Sequence, residues 1–247
     1  MTQQLLYLAM TGLDATLAQT TAAANNLANR STTAFKAQRP VFEALPLYGQ
    51  GLPDRVMVTA GADGADLQPG PIEQTGRKLD VAVKGDGWIA VQAPDGTIGL
   101  TRNGALTLSP SGVLETSDGF PVLGQGATPI TLPPLQTVTI GADGTISGVP
   151  LGQNPNEIAT LNRIMLTDPP AAALRRRGDG LFQDAAGTPT AAAAVRLQTG
   201  ALEGSNADPI ALMMDMIQNT RTFQMQTELM RAAASAGQGQ NSPLTLT

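Results

Sequence analysis

The chain has 247 residues, of which 42% are hydrophobic and only 3% aromatic, and its formal net charge is −5. It contains neither histidine nor cysteine, which excludes imidazole bases, thiolate nucleophiles, disulfides and the usual transition-metal sites. The excess of acidic over basic residues argues against binding to nucleic acid. No apolar run reaches the roughly 18 residues of a membrane span. We therefore expect no enzyme, cofactor or metal site, and no direct membrane insertion.

A helix with a regular apolar stripe is predicted at the start of the chain, from Thr2 to Asn29. The stripe repeats at alternating spacings of four and three, which keeps one helix face against a neighbour. Its members are Leu6, Met10, Leu13, Leu17, Thr20, Ala24 and Leu27. Packing against a partner helix is the favoured interpretation, and an ordinary amphipathic helix on its own domain core is the alternative. The first residues do not have the charge pattern of a cleaved secretory signal, so we expect any export to use another route.

Residues 34–78 are predicted to form an extended connector. Prolines and glycines recur throughout this stretch, and both interrupt regular structure. Gly61 to Asp66 contains two aspartates among glycines, which loosely resembles a calcium loop but has too few oxygen ligands at the required spacing. We expect an ordinary turn there.

From Leu79 the hydrophobic period changes to two, which predicts a central β domain over residues 79–200. Short apolar runs alternate with short glycine-containing turn sequences that tolerate a positive φ. These are Gly85-Asp86-Gly87, Asp95-Gly96, Asn103-Gly104, Ser111-Gly112, Asp118-Gly119, Asp143-Gly144 and Asp179-Gly180. The tripeptide Arg177-Gly178-Asp179 matches a cell-adhesion motif, but a solvated turn explains it better.

A second long amphipathic helix is predicted to begin at Pro209, with Asp208 as its N-cap. Residues at spacings of three and four make its apolar stripe: Met213, Met216, Thr220, Phe223, Thr227 and Met230. Ile210, Met214 and Ile217 widen that face. Methionine side chains adapt to irregular partners, which favours contacts with other subunits. The alternative is that the methionines only fill a core.

The predicted fold class is therefore α+β. Long N- and C-terminal helices are expected to pair as a coiled-coil-like α domain, joined through the extended connector to a central all-β domain. The predicted bounds are 1–33 for the N-terminal helix, 34–78 for the connector, 79–200 for the β domain and 201–247 for the C-terminal helix.

Three motifs, in order along the chain, resemble the signature of the flagellar rod and hook family of axial proteins. They are the run from Ala24 to Lys36, the run from Leu79 to Trp88 followed by Leu100 to Gly104, and the run from Leu202 to Asn206. Ala34 stands where the family commonly has glycine, and Arg30 stands where a small residue is usual.

This resemblance implies a structural subunit of the bacterial flagellar basal-body rod, in the periplasmic space. Such a subunit would be exported through the flagellum's own secretion channel. It would polymerise with copies of itself and with other rod proteins into a hollow tube that transmits torque. The chain length and the stretch from Arg221 to Gln226 favour a proximal-rod subunit, and a distal-rod subunit is the alternative.

The predicted functional residues are subunit-interface residues on the two terminal helices. They are Leu6, Met10, Leu13, Leu17, Leu27, Asn25, Asn26, Asn29, Ile210, Met213, Ile217, Phe223 and Met230. The three asparagines are expected to satisfy backbone groups at the helix end or between subunits.

Two other classes of function remain as alternatives. An enzyme could use Asp80 with Asp86, or Asp63 with Asp66, as paired carboxylates, although turn chemistry explains all four more simply. A secreted β-rich adhesin or binding module would not need an apolar stripe at each end of the chain.

Overall fold

A computed structural model describes residues 2–46, 56–153, 158–187 and 189–239. In sequence order, one long helix precedes and another follows a series of strands. The helices are α1 (Thr2–Ala28) and α2 (Pro209–Gly239), and a short 3-10 turn covers Ala171–Ala173. The strands are β1 (Gln38–Pro46), β2 (Val56–Ala65), β3 (Ile72–Gln74), β4 (Val81–Lys84), β5 (Trp88–Gln92), β6 (Ile98–Thr101), β7 (Leu106–Leu108), β8 (Leu114–Thr116), β9 (Leu135–Ile140), β10 (Thr145–Pro150), β11 (Ala159–Arg163), β12 (Leu166–Thr167), β13 (Leu174–Arg176), β14 (Phe182–Asp184), β15 (Arg196–Thr199) and β16 (Ala201–Glu203).

The chain divides into two compact units. The helical unit comprises Met1–Ala28, Gln38–Ala65 and Asp208–Thr247, and the β unit comprises Asn29–Ala37 and Asp66–Ala207. The chain therefore enters and leaves the β unit twice. Among the described residues, no helix is long and apolar enough to cross a membrane.

The helical unit contains α1, α2 and an antiparallel hairpin of β1 and β2. The hairpin register runs from Gln38 opposite Ala65 to Pro46 opposite Val56, with a bulge between Pro40 and Phe42. Both strands of a two-stranded sheet are edge strands, so a proline there removes no hydrogen bond from a central ladder. The prolines and glycines of this stretch are therefore compatible with strands of nine and ten residues.

Within residues 34–78, which sequence analysis assigns to an extended connector, residues 38–46 and 56–65 form this hairpin. The expected turn from Gly61 to Asp66 is wrong, because residues up to Ala65 belong to β2. The prolines and glycines within β1 and β2 obscured the alternating pattern of these strands.

The predicted coiled-coil-like pairing of the terminal helices is also wrong. Helices α1 and α2 contact each other, and the side-chain contacts described between them involve small and polar residues. The Thr16 hydroxyl lies 3.2 Å from Gln226 Oε1, and a Cβ added at Gly12 would lie 3.1 Å from Gln226 Nε2. Met10 and Leu17, two members of the predicted seam, are exposed. Most elements of the chain are strands, so the fold is mainly β with one helix near each end.

The β unit agrees with the predicted central β domain. It contains a five-stranded sheet in the order β12-β5-β6-β14-β13, a three-stranded sheet β11-β10-β9, and the pairs β15-β4, β16-β3 and β7-β8. Its core consists of buried aliphatic side chains, among them Val81, Ile89, Leu114, Val122 and Ile130. The rings of Trp88 and Phe182 also pack together, with centroids 4.8 Å apart.

Most of the predicted glycine turns are confirmed by a positive φ. Six of these glycines have backbone angles in the left-handed region: Gly85, Gly96, Gly112, Gly119, Gly144 and Gly180. Asn103-Gly104 differs, because Gly104 is not in the left-handed region and lies directly against the Val81 carbonyl, which a Cβ would overlap. The Asn103 amide instead donates to Ser117 and Asp118. Glycine is needed here for close backbone approach and not for a turn.

Candidate subunit interface and buried charge cluster

Helix α1 presents an exposed apolar face. Met10 and Leu17 are exposed, the latter at 58%, and Leu13 and Leu27 are half-buried. The backbone of Leu6 lies in α1, but its side chain is outside the part of the structure that is described. Two residues of the predicted stripe, Met10 and Leu17, are therefore not covered by α2. They leave apolar surface uncovered in the single subunit.

Helix α2 also presents an exposed apolar face. Ile210 is 69% exposed, and Met213, Ile217 and Phe223 are also exposed, whereas Met230 is half-buried. Sequence analysis did not place Met214, Met225 and Leu229 among the interface residues, although these side chains are also exposed. The side turned inward is marked by half-buried Leu212, Met216 and Gln226. The helix thus has apolar residues on two sides, one exposed and one half-buried. The sequence analysis assigned them all to a single face.

The three asparagines at the end of α1 differ in their surroundings. Asn26 is buried, and its amide pairs with the backbone of Gln38: Oδ1 accepts from the Gln38 N–H at 2.7 Å, and Nδ2 donates to the Gln38 carbonyl at 2.9 Å. Asn29 is half-buried and accepts a hydrogen bond from the Thr32 hydroxyl. Asn25 is exposed. For Asn26, these bonds correspond to the predicted role of satisfying backbone groups near the helix end.

A cluster of three buried charged side chains lies inside the β unit. Lys36, Arg102 and Glu203 have side chains that are each only 1% exposed. The Lys36 ammonium donates to Glu203 Oε1 at 2.6 Å, and Arg102 donates to Glu203 Oε2 at 3.1 Å. The Gly70 N–H donates to Oε1 at 3.0 Å. One carboxylate therefore holds two buried cations, and we refer to these three side chains as the charge cluster.

Further contacts fix the two cations of the charge cluster. Lys36 also donates to the Gln68 carbonyl at 2.7 Å, and Arg102 donates to the Gly85 carbonyl at 2.6 Å. The guanidinium of Arg102 lies over the Trp88 ring, 5.3 Å from its centroid, a cation–π contact. Burial lowers the pKa of Lys36, against the opposing effect of its hydrogen bond to Glu203. Arg102 Nε has no hydrogen-bond partner among the described residues.

Sequence analysis did not identify the charge cluster, although the signal was present. Lys36 ends the first motif, Arg102 lies in the second and Glu203 lies in the third. Each of these residues looks like an ordinary surface charge in sequence. Three separate motifs that each carry a charge are the one sequence feature that could have suggested a shared buried site.

Two of the carboxylates considered for catalysis, Asp66 and Asp80, accept hydrogen bonds within the chain; for Asp66 the donor is the Gln68 N–H at 3.0 Å. Asp80 is buried and accepts hydrogen bonds from the Thr75 hydroxyl at 2.6 Å and from Arg77 Nε at 2.9 Å. Asp86 is exposed and lines a cavity of about 330 Å³. The side chain of Asp63 lies outside the described residues. A nucleophile beside a base is not found among the described side chains that line this cavity.

The Arg177-Gly178-Asp179 tripeptide is held within its own unit. Arg177 donates to Asp95 at 2.8 Å and to Asp179 at 3.1 Å, and Gly180 makes the turn with a φ of 85°. Since the arginine is engaged by two carboxylates, the solvated-turn interpretation is confirmed.

Comparisons with known proteins agree with the three motifs. Residues 82–148 match the family described as flagellar hook protein FlgE/F/G D1 domain. Residues 198–236 match the C-terminal family of the flagellar basal body rod FlgEFG proteins. The chain is 43% identical over 231 residues to the flagellar basal-body rod protein FlgF of Salmonella typhimurium, and 42% identical to that of Escherichia coli. Each alignment covers 91% of both chains. The FlgG rod protein of Buchnera aphidicola is 31% identical, over 90% of this chain and 93% of its own length.

Proposed function

The chain belongs to the flagellar basal-body rod and hook family, and on this basis we propose that its subunits polymerise through the exposed apolar faces of α1 and α2. It is a structural subunit of the flagellar basal-body rod, in the proximal rod, and its FlgF-type relatives are structural rod proteins. Membership in this family implies assembly with other rod proteins. Contacts with copies of itself, passage through the flagellar export apparatus and the absence of enzymatic activity are parts of the proposal.

The uncovered apolar side chains of the two helices support this proposal most directly. Met10, Leu17, Ile210, Met213 and Ile217 are all at least half exposed in the single subunit. Exposed apolar patches of this kind are typical of protein–protein interaction sites. Single subunits gain stability by covering these side chains with neighbours.

The expected energies show that each of these contacts matters. Fully burying one exposed large apolar side chain contributes about 1.5–3 kcal/mol. Since these five are already partly covered, burying the rest of their surface supplies on the order of 5 kcal/mol. Association costs an estimated 4–15 kcal/mol in lost freedom. Since the two quantities are similar, loss of a single contact is enough to weaken assembly severely.

The proposed interface contains the residues that sequence analysis selected on the two helices. They are Leu6, Met10, Leu13, Leu17, Leu27, Asn25, Asn26, Asn29, Ile210, Met213, Ile217, Phe223 and Met230. The division into residues 1–33, 34–78, 79–200 and 201–247 likewise stays a prediction about functional parts of the chain.

A charge placed on the α1 face tests the proposal. We expect Leu17→Asp to abolish rod assembly and motility, because a carboxylate would have to be buried among apolar side chains. Motility in soft agar and electron microscopy of basal bodies measure the effect. Leu17→Met is the matched control, because it changes the same exposed residue and keeps the side chain apolar. A motile Leu17→Asp strain with normal rods would contradict the proposal.

A further inference from the structure

The last segment of the β unit, Ala201–Ala207, is joined to the earlier chain by a series of polar contacts. Among the described strands, β16 pairs with the three-residue strand β3 alone. The Glu203 carbonyl accepts from the Ala34 N–H at 2.8 Å, and the Gly204 N–H donates to the Pro71 carbonyl at 2.7 Å. This segment therefore depends on partners that precede it by more than a hundred residues.

Asn206 makes a second set of contacts from the same segment. Its Oδ1 accepts from the Ala37 N–H at 2.7 Å, while Nδ2 donates to the carbonyls of Asp66 at 2.8 Å and Gln68 at 3.0 Å. Together with Glu203, it binds two stretches of chain, residues 34–37 and 66–71. These stretches also contact each other, since the Asp66 N–H donates to the Ala37 carbonyl at 2.8 Å and Lys36 donates to the Gln68 carbonyl at 2.7 Å.

The charge cluster makes the earlier chain dependent on this segment. Lys36 and Arg102 are both buried cations, and Glu203 is the carboxylate that both contact. Without Glu203, two like charges would remain buried, and an uncompensated buried charge is strongly unfavourable. The hydrophobic core around Ile89, Val122 and Ile130 has no such requirement.

We propose that Ala201–Ala207 is a clasp, which closes after the hydrophobic core of the β unit has formed and opens as one piece while that core stays folded. Glu203 and Asn206 hold the clasp. When it opens, Lys36 and Arg102 become hydrated, and residues 34–37 and 66–71 separate from the unit. The covalent chain runs from these bound residues into the helical unit at Gln38 and at Asp208. The clasp thus anchors both points at which the chain leaves the β unit, after Ala37 and after Ala207.

Amide hydrogen exchange of the full-length monomer tests the clasp. The reporters are the amides of Ala34, Ala37, Gly70 and Gly204, which donate within it. The reference amides are those of Ala90, Leu123 and Ile130, which donate within the core. We expect Glu203→Gln to make the reporters exchange more than about a hundredfold faster, given the size of a broken buried ion pair. The reference amides are expected to keep their wild-type rates.

Glu73→Gln is the matched control. It removes the same charge from β3, opposite β16, but Glu73 is exposed, so we expect no change at the reporters. Equal acceleration of reporters and reference amides by Glu203→Gln, or complete unfolding of this variant, would overturn the proposal. So would unchanged reporters.

Exchange in the wild-type chain at increasing low denaturant gives a second measurement that needs no variant. The four reporters are expected to share one opening equilibrium at least tenfold more populated than that of the reference amides. A single opening common to all seven amides would overturn the proposal. Because the monomer is measured, failure of the clasp is distinguishable from failure of the proposed polymerisation.

Discussion

Ala34 adopts a backbone conformation that suits glycine, and replacing it should stabilise the β unit. Its φ is 57°, in the left-handed region that costs an L-residue about 1–2 kcal/mol. Glycine removes this cost but loses about 0.4–1 kcal/mol through greater freedom of the unfolded chain. The backbone hydrogen bond from Ala34 to the Glu203 carbonyl, at 2.8 Å, is unaffected. We therefore expect Ala34→Gly to raise the free energy of unfolding by about 0.5–1 kcal/mol.

Urea unfolding monitored by fluorescence measures this change. Trp88 is the sole tryptophan of the chain and is buried in the same β unit, so its signal reports the relevant transition. Ala37→Gly is the matched control, because Ala37 does not have a positive φ and gains no relief. We expect the control to lower the free energy of unfolding by about 0.5–1 kcal/mol. Equal destabilisation by both substitutions would refute the strain at Ala34.

Gly104→Ala should destabilise the β unit by about 3 kcal/mol, the upper end of the usual range for an overpacked site, because its Cβ would overlap the Val81 carbonyl. Gly96→Ala, where nothing lies within 4 Å of the added Cβ, should cost less in the same urea assay, and equal losses would contradict the close-approach role. Asp95 should give acid-dependent stability, since hydrogen bonds from Thr97 and the Arg177 guanidinium lower its pKa. A lowered folded-state pKa means that this stabilisation is complete above the unfolded pKa of about 4 and is lost as the pH falls further. The stability difference between wild type and Asp95→Asn should therefore shrink below pH 4, and a constant difference down to pH 2 would contradict it.

Local signals in the sequence were sufficient for the helices and most turns. Helix α1 ends at Ala28, one residue from the predicted end, and α2 begins at Pro209 as expected. Asp208 caps α2 by accepting from the Ile210 N–H at 2.9 Å. These features depend on short-range backbone chemistry, which a few neighbouring residues determine.

Features that depend on distant residues could not be predicted in this way. The β1–β2 hairpin tolerates Pro40 because both of its strands are edge strands. Whether a strand lies at an edge depends on its neighbours in the sheet and cannot be read from its own residues. The α1–α2 contact uses Gly12 and Thr16, which carry no hydrophobic signal. The apolar stripes mark surfaces left exposed, so periodicity located the faces but not their partners.

The charge cluster shows the same limit at the level of electrostatics. Lys36 and Glu203 are 167 residues apart in sequence, so no local pattern links them. Their pairing becomes visible only when β3, β16 and the segment after α1 are placed together. Resemblance at three motifs identified the family but did not show that the motifs meet inside one unit.

Cysteine labelling measures most directly whether the exposed helix faces become buried in the rod. The chain has no cysteine, so Leu17→Cys and Ile217→Cys each introduce a single reactive thiol at a residue that is exposed in the subunit. Lys78→Cys, on the exposed surface of the β unit, is the control. Assembly through the helix faces predicts rapid maleimide labelling of all three monomers and protection of positions 17 and 217 in isolated rods. Equal labelling of these positions in monomers and in assembled rods would contradict it.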